Sequence, residues 1–336
     1  MRTAGAAAAI LALLALAPLA ALLANDSTAE HGAGGLVLKQ SRDIDMLSED
    51  LYVSAERIRV RYVFRNRAPR DVSVTVAFPM PDRNLGEDRY ADVSYPGDFA
   101  TRVAGRPVSM AVERRAMLGG SDHTALLERL LVPIAPDEEG TKRIVDALAA
   151  LPRTERERLR SLGLIEIDEY DAGAGWQRDA VPAWTVRETW YWQQAFPAGR
   201  DLLIEHEYAP GTGGSVDVAL ARSDYRNSAE GRREQADYCT DRAFLAGLDR
   251  ASSEVARRGG GLSERRVRYI LTTGGNWRSP IGQFRLVVDK GRPENLVSFC
   301  GSGLRRISPT QFEMRRSNWR PDRDLAVLIV ERHAPR

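Results

Sequence analysis

Apolar and polar residues alternate over several short stretches, and this alternation limits what the chain can fold into more than any other feature. Ile58, Val60, Tyr62 and Phe64 are interleaved with Arg59, Arg61 and Arg65, and Val72, Val74, Val76 and Phe78 with small polar residues. Successive side chains of a strand point to opposite faces, so a period of two gives each segment one buried face. With only 66–71 between them, the two segments are predicted to form a hairpin. Val108-Met110-Val112, Trp184-Val186-Glu188-Trp190-Trp192 and Leu202-Ile204-His206-Tyr208 repeat the period. Further strands are predicted at 267–271, 284–288, 296–299, 312–314 and 326–330. Short strands separated by Gly, Pro and Asn turns point to a mainly β, β-sandwich-like fold, α+β overall. Some of these strands have continuous apolar cores and others expose Arg, which argues against a membrane barrel.

Three segments break the pattern. Residues 121–131 place Leu126, Leu127, Leu130 and Leu131 at helical spacing, and 141–151 do the same with Ile144, Val145, Leu148 and Leu151. After Pro152, the run Thr154-Glu155-Arg156-Glu157 reads as a capping box, with Gly163 as the stop. These features predict a small helical insertion at 121–165. A further helix, 241–257, would bury Phe244, Leu245, Leu248 and Ala251 behind an N-cap at Thr240-Asp241. It follows the polar, Arg-, Ser- and Gly-rich segment 222–234, which reads as a loop and a domain boundary. A length of 336 residues suits two domains. The expected organisation is a leader at 1–24, a β domain at 25–225 carrying the insertion, and an α+β domain at 235–336 holding both cysteines.

The leader shows one early positive charge, Arg2, then an unbroken run of Ala, Leu, Ile and one Pro from Ala6 to Ala24, then Asn25-Asp26-Ser27. This is the pattern of a secretory signal peptide cleaved after Ala24 or a neighbouring Ala; a retained N-terminal anchor is the competing reading. After Ala24 no apolar run approaches the roughly 18 residues that span a bilayer. The expected location is the periplasm or outside the cell. In such a compartment Cys239 and Cys300 are read first as a disulfide. The position of Cys239 beside a helix N-terminus supports a second reading, a reactive thiol.

Lys and Arg total 48 against 46 Asp and Glu, a net charge of +2, and all but three of the basic residues are Arg. Charge so balanced does not mark a nucleic-acid binder. No two of His31, His123, His206 and His333 lie within five positions of each other, so helical zinc pairs are absent from the sequence. It also contains no nucleophile elbow, phosphate loop or dinucleotide fingerprint. No catalytic residue, metal ligand or cofactor is assigned on this basis. His206 shares a strand face with Leu202, Ile204 and Tyr208 and reads as a half-buried core histidine. Gly211 to Ser215 leads toward a strand and reads as a turn. The acidic groups Asp43, Asp45, Glu49, Asp50 and Asp82, Glu87, Asp88, Asp92 lack the spacing of a calcium loop and read as solvated turns. Trp190 and Trp192 suit a sandwich core or, alternatively, a carbohydrate platform. Tyr191, on the opposite face, joins Leu126, Leu130 and Leu148 of the insertion as the candidate binding surface.

Several longer runs carry a family resemblance. They are residues 25–30 and 48–54, Thr75-Val76-Ala77-Phe78-Pro79-Met80-Pro81, Leu271-Thr272-Thr273-Gly274-Gly275-Asn276-Trp277 continuing through Pro280-Ile281-Gly282 to Val288-Asp289-Lys290-Gly291, Phe299-Cys300, and Ile307-Ser308-Pro309-Thr310. Across essentially the whole mature chain they resemble the bacterial family known as domain of unknown function 4424. The resemblance implies an exported, β-rich envelope or secreted protein and implies no activity, substrate or catalytic residue. The expected function is a non-catalytic binding or scaffolding module of the periplasm or cell surface, with a protein or envelope partner. The alternative is an envelope hydrolase whose site is assembled from distant residues, Asp43, Asp45 and Glu49 with His206 or His123.

Overall fold

The computed structural model describes residues 26–32, 35–86, 99–171, 173, 175–211 and 213–334. Residues 1–24, expected to be a leader, and the acidic residues Glu87, Asp88 and Asp92 lie outside them. The chain is mainly β with an α+β character, as the alternation predicts. An eight-stranded sheet runs in the order Arg305–Arg306, Gln311–Trp319, Ile281–Asp289, Ile44–Val53, Ile58–Asn66, Asp201–Tyr208, Ala100–Val103 and Arg106–Val108. A seven-stranded sheet runs Ser121–Asp122, Ala111–Leu118, Thr185–Phe196, Val72–Pro79, Ser27–Gly32 and Gly35–Lys39, with Arg83–Asn84 also paired to Thr185–Phe196. A four-stranded sheet runs Gly213–Ser215, Gly261–Tyr269, Leu325–His333 and Leu296–Phe299. One core collects the inward faces of all three: Tyr62 and Phe64 from the first, Phe78 and Trp192 from the second, Val267 and Tyr269 from the third. Each such apolar side chain removed from water stabilises the fold by about 1.5–3 kcal/mol before entropy is counted.

Ile58–Asn66 does not form a hairpin with Val72–Pro79. It pairs with the preceding strand, Val53 opposite Ile58, while Val72–Pro79 lies in the other sheet against Thr185–Phe196. Alternation fixes which face of a strand is buried, and Tyr62, Phe64, Val76 and Phe78 are all buried; it says nothing about the partner strand. Residues 66–71 instead arch from one layer to the other. Asn66 pins the arch: its amide donates to the carbonyls of Arg70 and Phe196, each at 2.8 Å, and its oxygen accepts from the Ala68 amide.

One pair of strands in these sheets is parallel, Ile281–Asp289 beside Ile44–Val53, with Leu286 opposite Leu51. Residues 25–225 and 235–336 therefore contribute to one sheet and to one core.

The insertion folds as helices Thr124–Arg129, Lys142–Ala150 and Arg153–Ser161, followed by the hairpin Ile165–Asp171 and Trp176–Pro182. Leu127, Ile144, Leu148 and Leu159 pack with Ala116, Trp184 and Val186 into a second core, and the Trp184 indole N–H donates to the Ile134 carbonyl at 2.8 Å. The capping box does not form. The third helix starts at Arg153, Pro152 is its N-cap without a side-chain hydrogen bond, and Glu157 is drawn to Arg153 at 2.7 Å. Gly163, at φ 77°, ends the helix in the left-handed region that glycine tolerates.

The segment read as a loop at 222–234 is helical, Ser223–Arg226 and Ala229–Asp237, with the Ser228 hydroxyl capping the Gly231 amide. These helices have almost no apolar stripe. Polar contacts hold them: the Tyr225 hydroxyl donates to Glu234 at 2.9 Å, and Arg266 reaches the same carboxylate at 2.8 Å. The next helix, Arg242–Arg258, is capped by Asp241 accepting from the Phe244 amide at 2.7 Å. Between the helices, Cys239 is bonded to Cys300 just after the strand Leu296–Phe299.

Candidate functional site

After Val72–Pro79 leaves the sheet, residues 80–84 run along the mouth of a cleft. The Met80 amide is tied to the Glu188 carbonyl at 2.8 Å, and Asp82 is clamped in a two-pronged contact with Arg187 at 2.7 and 3.1 Å. Opposite stands the strand Gly261–Tyr269, where the period of two puts Arg266 and Arg268 on one face and Val267 in the core. Tyr238, the C-cap of Ala229–Asp237, and Tyr208, the end of Asp201–Tyr208, complete the wall. The enclosed cavity measures about 290 Å³. A second cavity of about 560 Å³ adjoins it, lined in part by Tyr269, Ile270, Asp322 and Leu325. The two share Pro81, Asp82 and Arg268.

The electrostatics of the wall are uneven. Arg266 is held between Glu234 and Glu264. Burial pushes the Glu264 carboxyl up to about 7, Glu234 and Asp217 add to the push, and Arg266 opposes it. The Tyr238 phenol is also raised by burial, against the positive charges of Arg266 and Arg268. Tyr208 is raised by burial alone. The Tyr238 hydroxyl and the Arg266 Nε–H are buried without a hydrogen-bond acceptor among the described residues, the Arg268 guanidinium beside Tyr238 being a donor only. The acids in the smaller cavity are committed elsewhere: Asp82 to Arg187, and Glu188 to Arg114 and the Trp190 indole N–H.

Of the residues singled out from the sequence, Asp82, Gly211 and Gly213 line this cleft; the candidate binding surface and the acids and histidines of the hydrolase reading lie apart from it. Leu148 is fully buried, and Leu126 and Leu130 pack partly buried against the second core, so their apolar faces are largely spent within the protein. Tyr191 is half-buried with its ring edge-on to His31, centroids 5.4 Å apart. Trp192 lies in the main core and Trp190 packs against it. Asp45 is paired with Arg67 at 2.7 Å and Arg278 at 3.0 Å, and Glu49 is buried. His123 precedes the helix Thr124–Arg129.

His206 is fully buried rather than half-buried. Its Nδ1 meets the Thr101 hydroxyl at 2.8 Å and its Nε2 meets Asp26 at 3.1 Å, inside a box of Tyr62, Phe78, Phe99 and Trp192 rings. Sequence reasoning passed over Asp26, Tyr238, Arg266 and Arg268. The usable signals were the family run 75–81 and the Gly-rich residues 211–215, of which Pro81, Gly211 and Gly213 border the smaller cavity. Among the described residues, no three His, Cys, Asp or Glu side chains gather as a metal site, and no helix is long and apolar enough to cross a membrane.

The sequence profile of the family described as Domain of unknown function (DUF4424) matches residues 24–328. No curated protein matches the chain. Among solved structures, a "putative nutrient binding protein" of Legionella pneumophila aligns over 91% of this chain and 69% of its own, at 15% identity and a TM-score of 0.46. An M1 zinc metallopeptidase of Deinococcus radiodurans aligns over 87% of this chain and 43% of its own, at 11% identity and a TM-score of 0.20. Neither likeness is close enough to bear on function.

Proposed function

This chain belongs to the family described as Domain of unknown function (DUF4424), and from that premise we propose that it is an exported, non-catalytic binding module that takes a small ligand in the cleft between residues 80–84 and the strand Gly261–Tyr269. The observation that carries this reading is the Tyr238 hydroxyl, buried at the cavity wall beside the Arg268 guanidinium, which can only donate to it, and with no acceptor for its O–H among the described residues. An unpaired buried polar group costs a fold about 1–3 kcal/mol, a penalty that a bound ligand relieves. Ligand sites are typically concave with converging polar groups; this cleft is concave and its lining is mainly polar, with Asp82, Arg83, Glu188, Tyr238, Arg266 and Arg268. Export is supported by the leader-like residues 1–24 and by the Cys239–Cys300 bond, a linkage that persists in oxidising compartments.

Native mass spectrometry of the protein isolated from its own cells tests the reading. A small molecule should remain bound, and Gly213→Phe should remove it. A Cβ at Gly213 meets nothing closer than the Arg266 Cβ at 4.0 Å, so a side chain can begin at this point of the cavity lining without displacing backbone. A bound molecule that survives this substitution, or a protein that carries none, overturns the assignment of the cleft.

A further inference from the structure

We propose that the Tyr238–Arg266–Arg268 corner of the smaller cavity is an oxyanion site, which receives the carboxylate or phosphoryl group of the ligand. This proposal rests on the cleft being the binding site and goes further by naming the chemistry at its cationic end. Three observations combine. The Tyr238 hydroxyl, with only the Arg268 guanidinium as a donor beside it, and the Arg266 Nε–H are both buried without an acceptor among the described residues. Each can donate a hydrogen bond and a guanidinium can only donate, so the missing partner is an acceptor. Tyr238 itself is only 2% exposed, so its hydroxyl is held by the fold and is not a mobile surface group.

Charge points the same way. Arg83, Arg266 and Arg268 line the smaller cavity against Asp82 and Glu188, and both of those carboxylates are already neutralised by arginines outside the lining. Glu234 and Glu264 lie against Arg266 and hold its guanidinium in place. Arg268 stands exposed on the same strand face, where the two cavities meet. Bonds from charged donors to an oxyanion are shorter and stronger than neutral ones, and a planar guanidinium matches both carboxylate and phosphate geometry. The adjoining cavity, with Ile270 and Leu325 in its lining, leaves room for the uncharged body of the same ligand.

Calorimetric titration with inorganic phosphate and, separately, succinate tests the site and distinguishes the two anion sources. One of them should bind saturably, and more weakly as salt is added. Arg268→Gln changes an exposed residue and should keep the parent melting temperature, whereas Tyr238→Phe removes a buried hydroxyl that lacks an acceptor and should keep or raise it. Arg268→Gln should weaken the anion about tenfold or more and Tyr238→Phe several-fold, the loss expected for a charged and a neutral donor. Arg257→Gln, on an exposed helix face, should bind as the parent does. Binding that is unaffected at Arg268 and Tyr238, or no binding of either anion up to about 10 mM, near the weak limit of specific recognition, overturns the oxyanion site. A natural molecule displaced by Gly213→Phe while both anions fail leaves the cleft as a binding site and removes only the anion. Failure of both experiments removes both.

Discussion

His206 Nε2 lies 3.1 Å from Asp26 Oδ1, with both side chains sealed from solvent. The contact ties the first described residue to the strand Asp201–Tyr208, and the Trp277 indole N–H adds a second tie to the Asp26 carbonyl at 2.7 Å. Burial pushes the Asp26 carboxyl up, and His206 pulls it back down. Residues 26–29 are therefore buried within the fold, and Glu30 turns outward.

Asp26→Ala leaves His206 Nε2 without its hydrogen-bond partner inside an aromatic box. The expected loss is about 1–3 kcal/mol in urea unfolding, the desolvation penalty of an orphaned buried group. A change under about 0.5 kcal/mol, typical of a surface substitution, would show that the pair contributes nothing to the fold.

Replacing Cys239 or Cys300 with Ser reopens a loop whose ends are 61 residues apart. In the chain-entropy model a loop of that length is worth about 4 kcal/mol, so the melting temperature should fall markedly. Quantitative thiol labelling of the native protein should find no free cysteine. Stoichiometric labelling at Cys239 would revive the reactive-thiol reading.

Glu264 gives the pH dependence one sign. Its folded pKa, about 7, is above the ordinary 4.5, so between those values the folded state holds a proton that the unfolded state releases. The contribution is complete below about pH 4.5 and declines as pH rises toward 7. The parent should lose stability relative to Glu264→Gln across that window, and parallel curves would refute the shift.

Glu313 gives the opposite sign. Arg315, Arg285 and Arg305 hold its carboxyl down at about 2. Its contribution is present above the ordinary 4.5 and is lost as pH falls toward 2. Glu313→Gln should therefore cost stability at neutral pH and flatten the acid limb of the unfolding curve. An acid limb identical to the parent's would show that the three arginines do not act through this carboxylate.

Leu148→Ala tests whether the insertion is integral. Its side chain is fully buried with Ile144 and Leu159 against Trp184. A loss of about 2–5 kcal/mol is expected, the usual cost of a large-to-small change in a packed core. A cost under about 0.5 kcal/mol, the range of surface changes, would mean that the helices are dispensable packing.

Local signals were legible in the sequence and long-range ones were not. The buried faces of 58–64 and 72–78, the helical positions of Leu126, Leu127, Ile144 and Leu148, and the cap at Asp241 each follow from neighbours a few positions away, whereas Leu131, expected in the same stripe, lies past the helix end at φ 57° and is 86% exposed. The partner of Ile58–Asn66, the parallel match of Leu51 with Leu286, and the meeting of Asp26 with His206 depend on residues with no local signature. Helix Ala229–Asp237 was missed for another reason. Its stability comes from the Ser228 cap and from Glu234 facing Tyr225 and Arg266, so it has no apolar period to read. The cleft escaped notice because Tyr238, Arg266 and Arg268 look like ordinary helix-end and strand residues until residues 80–84 come to lie opposite.

The parallel match between Ile44–Val53 and Ile281–Asp289 also has a kinetic meaning. The strand Ile44–Val53 can form its hairpin with Ile58–Asn66 early, because that contact is local. Its other edge stays open until residue 281 has been made and brought back, and loop-closure entropy must be overcome before that contact contributes. Folding should accordingly be slow, on the order of milliseconds to seconds, as for other folds dominated by distant pairings. During that interval Ile44–Val53 presents unpaired amides and carbonyls beside an apolar face, the arrangement by which one chain recruits another into an aggregate. A fragment cut within 222–234 would carry that exposed edge permanently.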